Sequence, residues 1–270
     1  MDNLESHYSV LDIEARILAA LREAGLDPEQ RLSPEELAAL DHFHTGGYPA
    51  SLKLLELSKI KAGDRVLDIG AGLAGPARML AASPGCRVDC IDLSSDYCVG
   101  AELLNRLTGL DDLIDVHEGS ALDLPFPDDS FNAVWMQNVG MNIEDKLKFY
   151  TEIHRVLKPG GCFAFQEMTA GGTATSYFPL PWATEPTENF LMSAEEMHSM
   201  LGKIGFIAEY FEDLSGTQLT PTVSDTSESS AQQQLNLSVY VDNLAQKAEN
   251  ATRSLEEGQI RFYKGVFRVK

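Results

Sequence analysis

The sequence is short of positive charge. Lysine and arginine together number 21 against 41 aspartates and glutamates in 270 residues, a net charge of −20. Such a surface is repelled by phosphate backbones and anionic lipid, so neither nucleic acid nor a membrane is an expected partner. Cysteine is scarce as well. Cys86, Cys90, Cys98 and Cys162 show no paired C-x-x-C spacing, so no zinc site or disulfide framework is expected, and Cys90 and Cys162 read as small core residues. No apolar run approaches the roughly 20 residues of a membrane span. The start, Met1-Asp2-Asn3-Leu4-Glu5, lacks the basic-then-apolar pattern of a signal peptide, and the expected compartment is cytoplasmic. Internal repeats are missing too. What is present is apolar substance, 44% of residues, enough for a core and too much for a wholly disordered chain.

Two patterns divide the chain. Over residues 1–60 the periodicity is helical. Val10, Leu11, Ile13, Ile17, Leu18 and Leu21 share one face, Ser33-Pro34-Glu35-Glu36 carries an N-cap hydroxyl with proline at the first helical position, and a further helix is expected over about 48–58. This is a helical cap. From residue 64 strands and helices alternate, the signature of an α/β fold with an open, mostly parallel, doubly wound sheet. Strands are expected at Arg65–Ile69, Arg87–Ile91, about 114–118, Ala133–Gln137, Cys162–Glu167, Phe206–Phe211 and about 261–269. Helices are expected near 95–108, 145–157 and 233–256, and from Ser193. Residues 170–192 read as a long substrate loop, and residues 215–232, rich in Ser, Thr and Gln, as a mobile segment of the 61–270 domain.

The chemistry concentrates at Val66-Leu67-Asp68-Ile69-Gly70-Ala71-Gly72-Leu73-Ala74-Gly75. Gly70, Gly72 and Gly75 satisfy G-x-G-x-x-G between a strand and a helix, and Asp92 ends the next strand where a ribose-binding acid belongs. A pyrophosphate cofactor and a phosphate-free nucleoside cofactor both fit that pattern. Asp68 discriminates between them. A carboxylate two residues before the first glycine opposes a pyrophosphate on the helix N-terminus and suits a ligand carrying an ammonium and a sulfonium. S-adenosylmethionine carries both, with a ribose for Asp92. An NAD-dependent oxidoreductase and a binding module without transfer activity are the alternatives.

Taken with Asp92-Leu93-Ser94, Gly119-Ser120-Ala121-Leu122-Asp123-Leu124-Pro125-Phe126-Pro127-Asp128-Asp129-Ser130-Phe131 and Leu157-Lys158-Pro159-Gly160-Gly161, the glycine turn resembles the class I S-adenosylmethionine-dependent methyltransferases. The similarity is to the small-molecule branch that includes sarcosine/dimethylglycine N-methyltransferases, and it is strongest over about residues 60–168. The resemblance implies a Rossmann-like, seven-stranded sheet whose last strand runs antiparallel. It implies that Gly70 and Gly72 admit the methionine part, Asp68 holds its ammonium, Asp92 takes the ribose hydroxyls, Leu93 packs on the adenine, and Ser120 and Ala121 face the adenine edge. The family often has Asp where this chain has Ser120. Tyr8 resembles N-terminal tyrosines that fold over the cofactor, and Gln137 a neighbour of the methionine portion.

Ligands in open sheets sit beyond the carboxyl ends of the strands. The acceptor is therefore expected near Asn138, Met141, Asn142 and Gln166, walled by Tyr177 and Trp182. Asn142 stands where related enzymes often have His, and capping the helix near Glu144 is its competing role. Thr45 and Gly46 read as part of a loop closing over the cofactor carboxylate. His42 and His44 lack the further ligands a metal needs, so no metal is expected; His44 and Asn142 are the candidate catalytic groups. Because the sulfonium supplies the leaving group, alignment and water exclusion carry the reaction. A nitrogen acceptor needs no strong base in the transition state, so N-methylation is favoured over O-, S- or C-methylation, in a monomer or homodimer.

Overall fold

The computed structural model describes residues 10–172, 174–216, 235 and 237–270. The cap holds α1 (Ile13–Glu23), α2 (Pro34–Asp41) and α3 (Gly47–Ser58). Ser33 closes a full capping box on α2, its hydroxyl accepting from Glu36 N–H while the Glu36 carboxylate accepts from Ser33 N–H. Then follow β1 (Arg65–Ile69), α4 (Gly75–Ala82), β2 (Arg87–Asp92), α5 (Ser95–Thr108), β3 (Ile114–Glu118) and β4 (Phe131–Gln137). After a 3-10 turn at Gly140–Asn142 come α6 (Lys146–Val156), β5 (Leu157–Ala170), α7 (Ala194–Ile204), β6 (Phe206–Asp213), α8 (Leu244–Glu256) and β7 (Ile260–Val269).

The seven strands form one sheet in the order β3-β2-β1-β4-β5-β7-β6. Strands β1 to β5 pair in parallel, while β7 runs antiparallel between β5 and β6, as the resemblance implied. The order reverses between β1 and β4, which places the ligand crevice beyond the ends of those two strands. Alternation along each strand supplies two cores. Leu67, Ile69, Val134, Met136, Phe163 and Phe165 face α6 and α7, whereas Val66, Val88, Cys90, Trp135, Cys162 and Ala164 face α3 and α4. The four cysteines are free and buried. At the β5–β7 seam the Phe165 ring occupies the space a side chain on Gly265 would need.

Two boundaries differ most from expectation. β5 is longer than Cys162–Glu167 because β7 pairs with it without a break from Cys162 to Ala170. The last helix begins at Leu244 rather than near 233, behind a 3-10 turn at Leu237–Val239. The cap shares a core with the main domain. Ile13, Ile17, Leu21, Leu37 and Leu40 pack with Leu73, Tyr97, Leu104, Tyr240 and Val241, and Gly100 leaves room for Ile13 and Ile17 on α5. Tyr8 and most of segment 215–232 lie outside the described residues.

Candidate active site

The glycine turn is built by backbone geometry first. Gly70, Gly72 and Ala74 all have positive φ (65°, 53° and 60°). The N–H groups of Gly70 and Ala71 both donate to Ile91 O at the end of β2, at 2.8 and 3.3 Å, which folds the turn over the crevice. A side chain on Gly70 would collide with Val139, so the turn after β4 presses on the glycine turn directly.

Two carboxylates face this turn. Asp92 accepts from Gly72 N–H at 2.8 Å and from Ser94 N–H at 2.9 Å, and Ser94 in turn caps α5. Burial raises the Asp92 pKa, against the lowering effect of those N–H groups. Asp68 is buried at 2% exposure, and its Oδ2 has no hydrogen-bond partner. Burial, reinforced by the Asp92 charge and opposed by Arg78, pushes Asp68 up to about 8. A buried carboxylate oxygen without a donor is costly. A cationic ligand at this turn relieves that cost, while a pyrophosphate aggravates it. The donor set thus fits the phosphate-free, positively charged cofactor.

On the other wall, Ser120 accepts from Leu122 N–H through its hydroxyl, and Ala121 packs against the α6-side core. Leu93 is half-buried beside Asp92. Thr45 lies against the ends of β4 and β5: its Oγ1 accepts from Asn138 Nδ2 at 3.2 Å and its carbonyl from Gln166 Nε2 at 3.3 Å. Gly46, at φ 83°, is the N-cap of α3. Asn138 (φ 56°) begins the tight turn after β4. Oδ1 of Asn138 and Oε1 of Gln166 are buried without partners. The structure therefore gathers Thr45, Asn138, Gln166 and His44 at one place. Gln137 is also there, with Oε1 accepting from Trp135 Nε1 (2.8 Å) and Ser51 Oγ (3.0 Å). These bonds turn its amide under the cap.

Other expected residues make structural contacts. Asn142 ends the 3-10 turn, and the helix cap is Asp145, whose carboxylate accepts from Lys148 N–H. The Tyr177 hydroxyl donates to Glu257 at 2.8 Å, with Arg253 3.8 Å over its ring, so this side chain is spent on α8. Trp182 is buried and donates to Asn189, packing with Met141, Met168, Leu180 and Phe262 as a plug beneath the loop.

Sequence reasoning missed Glu167 and Lys146. Glu167 accepts from Gly140 N–H (2.6 Å) and Met168 N–H (2.9 Å), while Lys146 donates to Gly140 O and Ile143 O. Burial raises the Glu167 pKa, with Lys146 opposing, and lowers that of Lys146, with Glu167 opposing. Together they grip the turn that carries Asn138 and Val139. The available signal was two adjacent polar residues, Gln166 and Glu167, inside an otherwise apolar strand.

Comparison with known proteins agrees with this geometry. Residues 67–165 match the family described as "Methyltransferase domain". The chain is 36% identical over 151 residues to a glycine/sarcosine/dimethylglycine N-methyltransferase of Actinopolyspora halophila, covering 56% of this chain and 27% of that one. It is 38% identical over 125 residues to a sarcosine/dimethylglycine N-methyltransferase of Aphanothece halophytica, covering 44% and 45%. The matches thus span less than half the length of these curated relatives. Among solved structures, a Haemonchus contortus phosphoethanolamine N-methyltransferase 2 in complex with S-adenosyl-L-methionine superposes with a TM-score of 0.67 at 19% identity, covering 97% of this chain and 60% of that one. The motif resemblance holds over the matched segment, and the fold is the Rossmann-like fold of these methyltransferases. Among the described residues no helix is long and apolar enough to cross a membrane.

Proposed function

We propose that this chain is an S-adenosylmethionine-dependent methyltransferase acting on a small-molecule acceptor, with nitrogen favoured as the acceptor atom and S-adenosylhomocysteine as product. The observation that carries the reading is the buried Asp68 carboxylate, with Oδ2 unpartnered, at a left-handed glycine turn. When bound, the cofactor supplies an electrophilic methyl group on a sulfonium whose departure needs no proton.

The chain's own residues bind and orient. Asp68 takes the ammonium of the methionine part, Gly70 and Gly72 allow its close approach, and Thr45 and Gly46 close over its carboxylate. Asp92 takes the ribose hydroxyls, with Leu93, Ser120 and Ala121 around the adenine. Gln137 braces the methionine side from beneath. Asn138, Met141, Asn142 and Gln166 line the acceptor side. Two buried amide oxygens there, Asn138 Oδ1 and Gln166 Oε1, call for hydrogen-bond donors, which an amine supplies and a carboxylate or phosphate does not. The names of the two curated relatives, both N-methyltransferases, point the same way. Trp182 keeps water out of this end of the crevice from behind Met141. His44 is the proposed acceptor for the proton that an ammonium substrate must lose before it can attack.

Calorimetric titration with S-adenosylhomocysteine and with NAD tests the reading. Binding of the first and silence of the second are expected. NAD binding with no response to S-adenosylhomocysteine overturns it. A mass-spectrometric methyl-transfer screen over amines, phenols, thiols and carboxylates then identifies the acceptor atom.

A further inference from the structure

Between the acceptor end of the sheet and the cap lies a buried string of polar side chains, of which Ser51, His42 and Asp41 have no place in the cofactor contacts proposed above. Its hydrogen positions follow from one residue. The Trp135 indole can only donate, and its Nε1 lies 2.8 Å from Gln137 Oε1, which fixes the orientation of that amide. Gln137 Nε2 then faces His44 Nδ1 at 3.3 Å as a donor, so Nδ1 carries the lone pair and His44 Nε2 carries the hydrogen. Gln166 Nε2, oriented by its bond to Thr45 O, approaches the same Nδ1 at 3.5 Å and agrees. His44 Nε2 lies 3.0 Å from Ser51 Oγ and 3.2 Å from His42 Nδ1. Ser51 Oγ, which donates to Gln137 Oε1, also lies 3.3 Å from His42 Nδ1; because two ring N–H groups at 3.2 Å repel one another, His42 Nδ1 is assigned as the acceptor and its hydrogen to Nε2. That atom faces Asp41 Oδ1 across 3.7 Å, and neither has another partner. Asp41 Oδ2 is held by Arg78 at 2.7 Å. Both rings are thus in the same tautomer, aligned head to tail and ending on a carboxylate.

We propose that His44 takes the acceptor's proton at Nδ1 and that His42 and Asp41 relay it away from the reacting centre; this rests on the methyltransferase reading above and deepens it to an amine acceptor that arrives with a proton to lose. The step balances. The substrate ammonium gives its proton to His44 Nδ1, His44 Nε2–H passes to His42 Nδ1, and His42 Nε2–H passes to Asp41 Oδ1. Both rings end neutral in the other tautomer and the carboxyl is protonated. Thr45 O, 3.4 Å from His44 Nδ1, is in place to hold the new N–H. The freed nitrogen lone pair forms the C–N bond as the C–S bond breaks, and that electron pair stays on sulfur.

The surroundings suit such a relay. The charged and titratable groups facing the rings are Asp41 on α2, Tyr48 on α3, Arg78 on α4 and Lys264 on β7. Burial first, then the charges of His44 and Arg78, keep His42 well below the usual imidazole range. Burial, with Lys264 adding to it and the Thr45 carbonyl opposing, lowers His44 to about 4. Both rings are therefore neutral near neutral pH, and the proton's resting place is the carboxylate at the end of the string. Burial raises Asp41 to about 6 against the pull of Arg78, which makes it the best proton store in the string. A substrate ammonium entering the same dry site has its own proton loosened by desolvation.

The test has two parts. In protein labelled with 15N-histidine, long-range 1H–15N correlation near neutral pH should show both rings neutral with hydrogen on Nε2, assigned by the loss of signals in H44N and H42N. Hydrogen on His44 Nδ1 overturns the proposal without any enzyme assay. In H42N the amide oxygen can still accept from His44 Nε2–H, so the cap contact is kept and onward transfer is lost. Its S-adenosylhomocysteine affinity should stay within about threefold of wild type, while methyl transfer to a panel of primary and secondary amines falls about 100-fold. Transfer by H42N at the wild-type rate overturns the relay. Wild-type protein that binds S-adenosylhomocysteine but methylates no amine overturns the proposal and leaves the cofactor reading standing. Absence of S-adenosylhomocysteine binding overturns the reading itself.

Discussion

Asp68 and Asp92 are both acids at strand ends, but their surroundings divide their work. Asp92 is already met by two backbone N–H groups, whereas Asp68 Oδ2 is left alone. Replacing Asp92 by Ala should weaken S-adenosylhomocysteine binding by at least about tenfold, the scale of a lost charge-assisted hydrogen bond, as measured by calorimetry. Equal binding by the variant would remove Asp92 from the ribose. For Asp68 the sign runs through stability. Its folded pKa, about 8, lies above the 3.8 of an unburied carboxyl. The folded chain therefore holds a proton that the unfolded chain has released, and stability falls as pH rises across that interval. D68N should flatten this dependence and melt higher than wild type without ligand, by several degrees at about 2–4 °C per kcal/mol, while losing cofactor affinity. A thermal melting series with pH checks it; a variant that melts lower throughout contradicts the buried-charge account.

At the scale of elements, the turn between β4 and α6 joins the two halves of the site. Gly140 is gripped at its N–H by Glu167 and at its carbonyl by Lys146, and a side chain there would come within 2.6 Å of Glu167 Oε2. G140A should cost about 1–3 kcal/mol of stability by overpacking, read from urea unfolding, and should weaken cofactor binding as Val139 shifts against Gly70. An unchanged midpoint would show that the grip is loose. The glycine turn and most strands were legible from the sequence, because apolar strands of period two and left-handed glycines are local signals. Glu167 and Lys146 were not, since two residues 21 positions apart meet only through the backbone of the Gly140 turn, and that meeting depends on β4–β5 register. Tyr177 was read as acceptor wall on composition alone; its Glu257 partner comes from α8, whose docking no local pattern announces.

For the molecule as a whole, buried cations tie the cap to the sheet domain, Lys264 through Ala50 O and Arg78 through a wider set of partners. Arg78 on α4 is fully buried, donating to Asp41 of α2, to Asn105 of α5 and to Leu73 O. In the sequence it registers only as an interruption of an apolar run, because its partners lie 37 positions before it and 27 after it. R78M should cost about 3–5 kcal/mol by leaving a buried carboxylate unpaired, and the double variant R78M/D41L should recover part of it. Unfolding free energies from denaturant titration decide this; a double variant less stable than R78M would mean that the pair itself, rather than its desolvated remnant, sustains the cap.

The notch at Gly265 reaches further than its own strand. Because the Phe165 ring fills the space above it, the two positions behave as a tongue and its groove, and neither can change alone. A lineage that acquires a methyl at 265 must trim the ring at 165, so G265A and F165L should each be harmful singly and partly cure one another together. Across descendants of this chain the two sites should drift as a couple, leaving in the record of substitutions a trace of the seam where the reversed strand enters the sheet.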